Sequence, residues 1–333
     1  MTSPNQQYDL ALKDVEARIA QVVGSSDELV TASIEEVNRG HGKLIRPRLL
    51  LTMASLFGGA APASVANCAA CCELLHTASL IHDDVIDQAE FRRGLPTLSS
   101  RFGNELAVVV GDYILALVLQ ALTTERDFIL TEMLLETSRQ IGLGVIEEVL
   151  NRNNFQISTE KYYDVIYYKT AALFCLCAGM GAYLGGADAE AQALAIEYAR
   201  LLGLGFQVVD DLLDLTQDPA KTGKPSLSDI REGRITLPLI HALMQEPAET
   251  KRLVEAFQTE KDAGAEAAIR AQLERLGSVE FAYAAARGFL KDARGIASNL
   301  EAMVPDGEAF HELERIEQRV VHALPLALTA VVI

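Results

Sequence analysis

The 333-residue chain contains no tryptophan, and aromatic residues make up only 6% of it. Aromatic side chains suit the pleated, half-buried faces of sheets. Their scarcity beside abundant Ala and Leu points away from a β-sandwich or barrel and toward close-packed helices. Basic residues are also few: 29 Lys and Arg against 46 Asp and Glu, a formal charge of −17. Nucleic-acid binding needs a cationic face, so nucleic acid is excluded as a partner. Small anionic substrates need only a local cationic pocket or a metal, and they remain open. The five cysteines, Cys68, Cys71, Cys72, Cys175 and Cys177, are odd in number, crowded and set among apolar neighbours. Reduced, buried thiols in a cytoplasmic protein fit that pattern. Cys68-x-x-Cys71 resembles a zinc half-site, but no second pair or His partner follows to complete it, so a zinc site is not expected. The polar start carries no basic-then-apolar signal pattern. Linkers rich in Pro, Gly or Ser and low-complexity blocks are missing too, which predicts one domain over 1–333.

What is present is apolar and periodic. Half the residues are hydrophobic, enough for a sizeable core. Helical spacing predicts helices over 8–23, 27–38, 43–56, 64–88, 104–123, 127–150, 160–184 and 189–215. In the last third it predicts 236–244, 265–276, 279–300 and 308–323. Alternating strands are not expected, and the fold class is all-α, a large single-domain helical bundle around a central cavity. Two uncharged stretches, 49–72 and 170–187, are long enough to raise the question of a membrane span. Gly58, Gly59, Pro62 and Asn67 divide the first into two core helices. Gly179, Gly181, Gly185 and Gly186 mark the second as a central helix closely surrounded by others, so no integral span is expected.

One pattern recurs. Asp83-Asp84-Val85-Ile86-Asp87 and Asp210-Asp211-Leu212-Leu213-Asp214 share their spacing and each ends a long apolar stretch. Carboxylates four apart lie on one helix face and repel, at a cost of roughly a few tenths of a kcal/mol per pair. They also stand at the end of the helix dipole that disfavours anions. Divalent cations resolve both problems, and hard oxygen ligands on two facing helices suit Mg²⁺, which bridges carboxylates to phosphates. A single such motif would read as a solvated acidic helix end. Two, followed by Arg92 and Arg93 and by Lys221, Lys224, Arg231 and Arg234, give a charge inventory for binding and ionising a diphosphate. Lys43, Arg46 and Arg48 open an apolar helix in an acidic protein, the place for an anion. Lys169 and Thr170 precede another apolar helix, where an ammonium calls for an anionic partner.

These strings occur in a fixed order: GKLIRP at 42–47, ELLHTASLIHDDVID at 73–87, RRGLPT at 92–97, GN at 103–104 and GDYIL at 111–115. KTAALF follows at 169–174, FQVVDDLLD at 206–214, GKP at 223–225 and DIREGRITLP at 229–238. In this order the chain resembles the trans-isoprenyl diphosphate synthases, or polyprenyl synthetases, over roughly 42–238. The resemblance implies that Asp83, Asp87 and Asp210 ligate three Mg²⁺ ions around an allylic diphosphate. Asp84, Asp211 and Asp214 would support the metals directly or through water. Arg92, Lys169, Gln207, Lys224 and Arg234 (where relatives usually have Lys) would hold the allylic diphosphate. Lys43, Arg46, His76 and Arg93 would bind isopentenyl diphosphate, and His82 and His41 are structural. Mg²⁺ and cations would stabilise the departing diphosphate. The isopentenyl double bond would then attack an allylic cation in a dry cavity, and proton loss would restore an alkene. Thr170 and Gln207 would turn their dipoles on that cation. No side-chain nucleophile is required, and a homodimer is implied.

Product length should depend on what lies beneath the first Asp motif. Ala78 and Ser79 stand one turn below it, about 6–7.5 Å down the helix axis. Both are small, and in the family small residues there resemble long-chain synthases. The expected product has six to ten isoprene units, with octaprenyl diphosphate as the single length chosen. The uncharged tail 323–333 is expected to pack into the core first, with peripheral membrane contact during product release as the alternative. Some positions depart from the family. An EGExxQ-like stretch reads Leu143-Gly144-Val145-Ile146-Glu147-Glu148, Leu95 replaces a common Lys, and the tail lacks basic residues. A short-chain farnesyl or geranylgeranyl diphosphate synthase and a non-catalytic regulatory subunit are the alternatives. A terpene cyclase is disfavoured by the second Asp motif, and a head-to-head synthase by the two-residue spacing.

Overall fold

The structure, a computed structural model, describes residues 4–24, 31, 44–58, 62–92, 94–216, 227–260, 263–304 and 307–321. Its helices are α1 (Pro4–Val23), α2 (Ile45–Phe57), α3 (Pro62–Ile86), α4 (Leu98–Phe102), α5 (Asn104–Thr123), α6 (Phe128–Leu150) and α7 (Thr159–Ile166). A π-helical turn, Tyr167–Ala171, leads into α8 (Ala172–Gly185) and α9 (Ala189–Thr216). Then follow α10 (Ser228–Arg231), α11 (Leu237–Gln245), α12 (Pro247–Glu260), α13 (Ala263–Arg275), α14 (Ser278–Met303) and α15 (Gly307–Val321). The fold is all-α, as expected. Among the described residues the one sheet is a hairpin of two-residue strands, β1 (Phe91–Arg92) and β2 (Leu95–Pro96), too short for alternation to reveal. The helix expected over 27–38 lies outside the described residues. The helix expected over 160–184 is interrupted by the π turn. Helix α12 was missed because its sequence is mostly polar and charged, although Leu253, Val254 and Phe257 bury its apolar face.

The chain divides into two compact units. One comprises residues 1–141, 172–199 and 294–316. Its centre is α3 packed against α1, α2, α5 and α8, with α2 lying along α8. Glycine makes that approach possible: a Cβ at Gly181 would stand 2.4 Å from the Leu50 carbonyl oxygen, and one at Gly185 2.9 Å from that of Ala54. These glycines of the long uncharged stretch are therefore packing positions of an enclosed helix. A buried ion network ties the same unit together. The Arg48 guanidinium donates to Glu312 on α15 at 2.6 Å and to Asp9 on α1 at 2.8 Å. Arg48, read from sequence as part of an anion-binding patch, is instead buried in this network.

The other unit comprises residues 142–171, 200–293 and 317–333. In it α11 packs against α7, α12 and α13. Gly205 on α9 lets Leu290 of α14 approach to 3.1 Å of where a Cβ would be.

Among the described residues three helical runs, Pro62–Ile86, Asn104–Thr123 and Thr159–Gly185, are long and apolar enough to cross a membrane. The protein itself buries 67% of the most apolar window of the first and 83% of the third, but only 44% of the second. The side of α5 carrying Val108, Val109, Tyr113 and Leu119 is open.

Candidate active site

In the first unit, the apolar stretch of α3 delivers the first acidic motif to the helix's C-terminal end. Asp84 is buried there and its carboxylate takes the Nε–H of Arg92 at 2.7 Å. Asp83 and Asp87 flank it half-buried. Arg92 is aimed by the hairpin, whose register pairs it with Leu95 across a turn that needs positive φ at Gly94 (79°). Thr97 fixes the exit from that turn. Its hydroxyl donates to the Ala89 carbonyl at 2.6 Å and accepts the Ser100 N–H at the start of α4. Arg46 donates to His76 at 3.0 Å and lies over the Phe174 ring at 4.9 Å. The structure thus brings together two of the residues expected at an isopentenyl diphosphate site; Lys43 and Arg93 lie outside the described residues. Ala78 is fully buried, and Ser79 is half-buried with its hydroxyl on the His76 carbonyl at 2.8 Å. His82 lies 3.4 Å from Asp112 and against Gly111, where a Cβ would come within 2.3 Å of its ring.

In the second unit, α9 presents the second motif with its three carboxylates in three environments. Asp210 is exposed. Asp211 is buried, its oxygens taking the Tyr162 hydroxyl at 2.6 Å and the Gln207 amide at 2.8 Å. Burial raises the Asp211 pKa well above the carboxylate range, and Asp229 adds to the rise. The Gln207 oxygen accepts from Thr170 at 2.6 Å, so a relay runs Thr170–Gln207–Asp211–Tyr162. Asp214 accepts the backbone N–H groups of Ser228 and Asp229, both at 3.1 Å, and the Ser228 hydroxyl, and so seats α10. The Asp229 carboxylate accepts the Arg234 guanidinium at 2.9 Å; burial, opposed by Arg234, pushes its pKa up to about 6.

Lys169 projects from the π turn, a local underwinding that often marks functional positions. Its ammonium donates to both oxygens of Glu148, at 2.7 and 2.9 Å. Arg234 stands 3.9 Å from the same carboxylate and also pairs with Asp229 and Glu232. Arg231 lies over the Phe257 ring at 4.6 Å. Lys221 and Lys224 lie outside the described residues. Sequence reasoning missed Tyr162, which carries no motif signal. It met Glu148 only as a departure from a family pattern, and Asp229 only as a letter in DIREGRITLP.

The donor set fits Mg²⁺. Among the described residues no three acidic, His or Cys side chains converge as a ready-made cage. Mg²⁺ characteristically binds through one or two carboxylates plus substrate phosphates. The motifs offer oxygen donors of that kind in Asp83, Asp87 and Asp210, and Asp84, Asp211 and Asp214 accept protein hydrogen bonds.

The polyprenyl synthetase family model matches residues 27–275. Octaprenyl diphosphate synthase of Escherichia coli K12 is 36% identical over 240 residues, 72% of this chain and 74% of that protein. A decaprenyl diphosphate synthase from Rhodobacter capsulatus superposes with a TM-score of 0.88 at 30% identity, covering 97% of this chain and 98% of the other. A polyprenyl synthase from Caulobacter crescentus CB15, crystallised with calcium and isoprenyl diphosphate, superposes at 0.87 with 26% identity, over 95% and 96%. Motif order, fold and overall similarity agree, and the chain belongs to the polyprenyl synthetase family.

Proposed function

We propose that this enzyme condenses isopentenyl diphosphate with an allylic diphosphate, farnesyl or geranyl, to build a long-chain all-trans polyprenyl diphosphate. One observation carries the reading. In the second unit Lys169, Thr170, Gln207 and Arg234 are gathered by direct bonds with Asp211, Glu148 and Asp229, beside the exposed Asp210. That is a cationic and acidic set for one diphosphate. The residues assigned to Mg²⁺ are Asp83, Asp87 and Asp210, backed by Asp84, Asp211 and Asp214. Bound Mg²⁺ supplies Lewis-acid neutralisation of the departing diphosphate. Arg92, Lys169, Lys224 and Arg234 bind and orient that group. The Thr170 hydroxyl, already held by Gln207, turns its dipole toward developing allylic charge. Arg46 and His76, with Lys43 and Arg93, hold the isopentenyl diphosphate. The apolar helices exclude water, and the proton lost at the end goes to released pyrophosphate.

The proposed product has six to ten units, octaprenyl being the length chosen. The small, fully buried Ala78 and the small Ser79 support it, as do the octaprenyl and decaprenyl activities of the relatives. Both units belong to one synthase domain in this reading, since the family match runs through both. The protein is cytoplasmic, consistent with five free, buried thiols. It forms a homodimer through the open face of α5 and meets membranes only peripherally, through the tail 323–333.

The test is a product assay. Purified protein is incubated with farnesyl diphosphate, excess isopentenyl diphosphate and Mg²⁺, and the dephosphorylated alcohols are analysed by mass. A dominant product of six to ten units is expected, abolished by EDTA and restored by Mg²⁺. Products stopping at three or four units would keep the reaction and overturn the length. No condensation with any allylic starter would overturn the enzyme reading.

A further inference from the structure

The stretch that departs from the family pattern ends on a side chain with a specific place. Gly144 and Glu148 lie one turn apart on one face of α6. A Cβ at Gly144 would stand 2.5 Å from the Lys169 amide nitrogen and 2.9 Å from its Cα, so only glycine lets α6 lie directly on the π turn. That contact sets Glu148 against Lys169, and the carboxylate grips the ammonium with both oxygens. The neighbouring Glu147 is engaged elsewhere, with Lys161 at 2.8 Å. Glu148 is 13% exposed, Lys169 21% and Arg234 17%, so water screens the cluster weakly. Lys169 and Arg234 are thus surrounded by Glu148, Asp229 and Glu232, and two cations face three carboxylates.

We infer that Glu148 is an internal counter-anion that competes with diphosphate for Lys169 and Arg234. The inference rests on the proposed function and deepens it. A carboxylate and a diphosphate oxygen make the same charge-assisted hydrogen bonds to an ammonium, and Glu148 holds two of its three donors, so diphosphate gains full contact with Lys169 only as Glu148 gives way. An enzyme that repeats a condensation must release pyrophosphate in every cycle. A carboxylate poised to retake Lys169 weakens diphosphate binding in the ground state and speeds that release. Glu148 is therefore a positioning residue that sets affinity for the departing group.

The experiment is calorimetric titration of Mg²⁺-loaded protein with inorganic pyrophosphate, beside steady-state assays with pyrophosphate as inhibitor. Wild type is compared with Glu148→Gln, which keeps the shape, and Glu148→Ala, which removes the reach. Each is also made in a Lys169→Gln background. Both Glu148 variants should bind pyrophosphate roughly tenfold more tightly, about 1.4 kcal/mol. KM for farnesyl diphosphate should fall with inhibition by pyrophosphate growing stronger, and the gain should vanish without Lys169. Unchanged or weaker binding in either variant overturns the inference, because Glu148 would then only orient Lys169. A gain that survives loss of Lys169 overturns it as well. The two readings fail separately. Wild type that forms no prenyl product, while its variants show the Lys169-dependent gain, would sink the reaction and leave the competition standing. Product formation with no gain would do the reverse.

Discussion

At the scale of single residues, the structure separates charges proposed to bind substrate from charges that hold the protein together. Arg48 sits two positions from Arg46 and looks equivalent in sequence. Yet Arg46 meets His76 and Phe174, whereas Arg48 and Glu312 are 4% and 0% exposed and bind each other. Removing one partner of such a pair strands a buried charge. Glu312→Gln should lower the unfolding free energy by about 3 kcal/mol in urea titration, Asp9 being too exposed to compensate. Its KM for isopentenyl diphosphate should be unchanged. Tyr162→Phe tests the opposite kind of contact. It removes a donor from the buried Asp211 carboxylate, which burial already disfavours in its charged form. A stability loss of about 1–3 kcal/mol is expected from the unpaired acceptor. Condensation should also slow, because Asp211 and Gln207 share that relay; wild-type turnover would show the relay to be structural only.

At the scale of elements, close backbone approach does more than side-chain chemistry to set the geometry. Gly144→Ala places a methyl against the backbone of the π turn and must push α6 away from it. A stability cost of about 1–3 kcal/mol is expected, with condensation lost more steeply than stability because Lys169 moves. Helix α3 bears on the thiols. Burial raises the Cys71 pKa to about 12 and that of Cys68 as well, and the hydrogen bond with Cys177 together with burial raises that of Cys72, so all three are protonated at pH 8. A disulfide reagent should titrate none of these three quickly in the native protein, and all five cysteines after denaturation. The same scale explains what the sequence disclosed. The acidic pairs four apart, the apolar runs before them and the turn glycines are local patterns, and they located the helix ends that carry the carboxylates. Glu148–Lys169, Tyr162–Asp211 and Arg48–Glu312 join residues 21, 49 and 264 positions apart. No local period encodes such pairs. The π turn was illegible for a related reason: 160–184 has continuous helical character, and only packing against Gly144 shows where the winding changes.

At the scale of the whole molecule, α5 is the anomaly. Between Asn104 and Thr123 its only charges are Glu105 and Asp112, yet less than half of its apolar window is buried. Val109 is 62% exposed, and Val108, Tyr113 and Leu119 are open beside it. An apolar helix face left to water carries an aggregation liability unless something covers it. A second copy of the chain is the occupant proposed here, through a symmetric contact in which α5 meets α5. Stable dimers of this kind bury roughly 2,000 Å² or more, so the α5 face would be the centre of a larger patch. Val109→Glu places a carboxylate at that centre, where a two-fold axis brings it near its own copy. Wild type should sediment at twice the chain mass, and Val109→Glu should sediment as the single chain with the same helical circular dichroism. If the variant remains a dimer, α5 is not the interface; if wild type is a monomer at micromolar concentration, the open face belongs to a membrane surface or another protein. Binding of wild type, but not of Val109→Glu, to anionic vesicles would then identify the membrane.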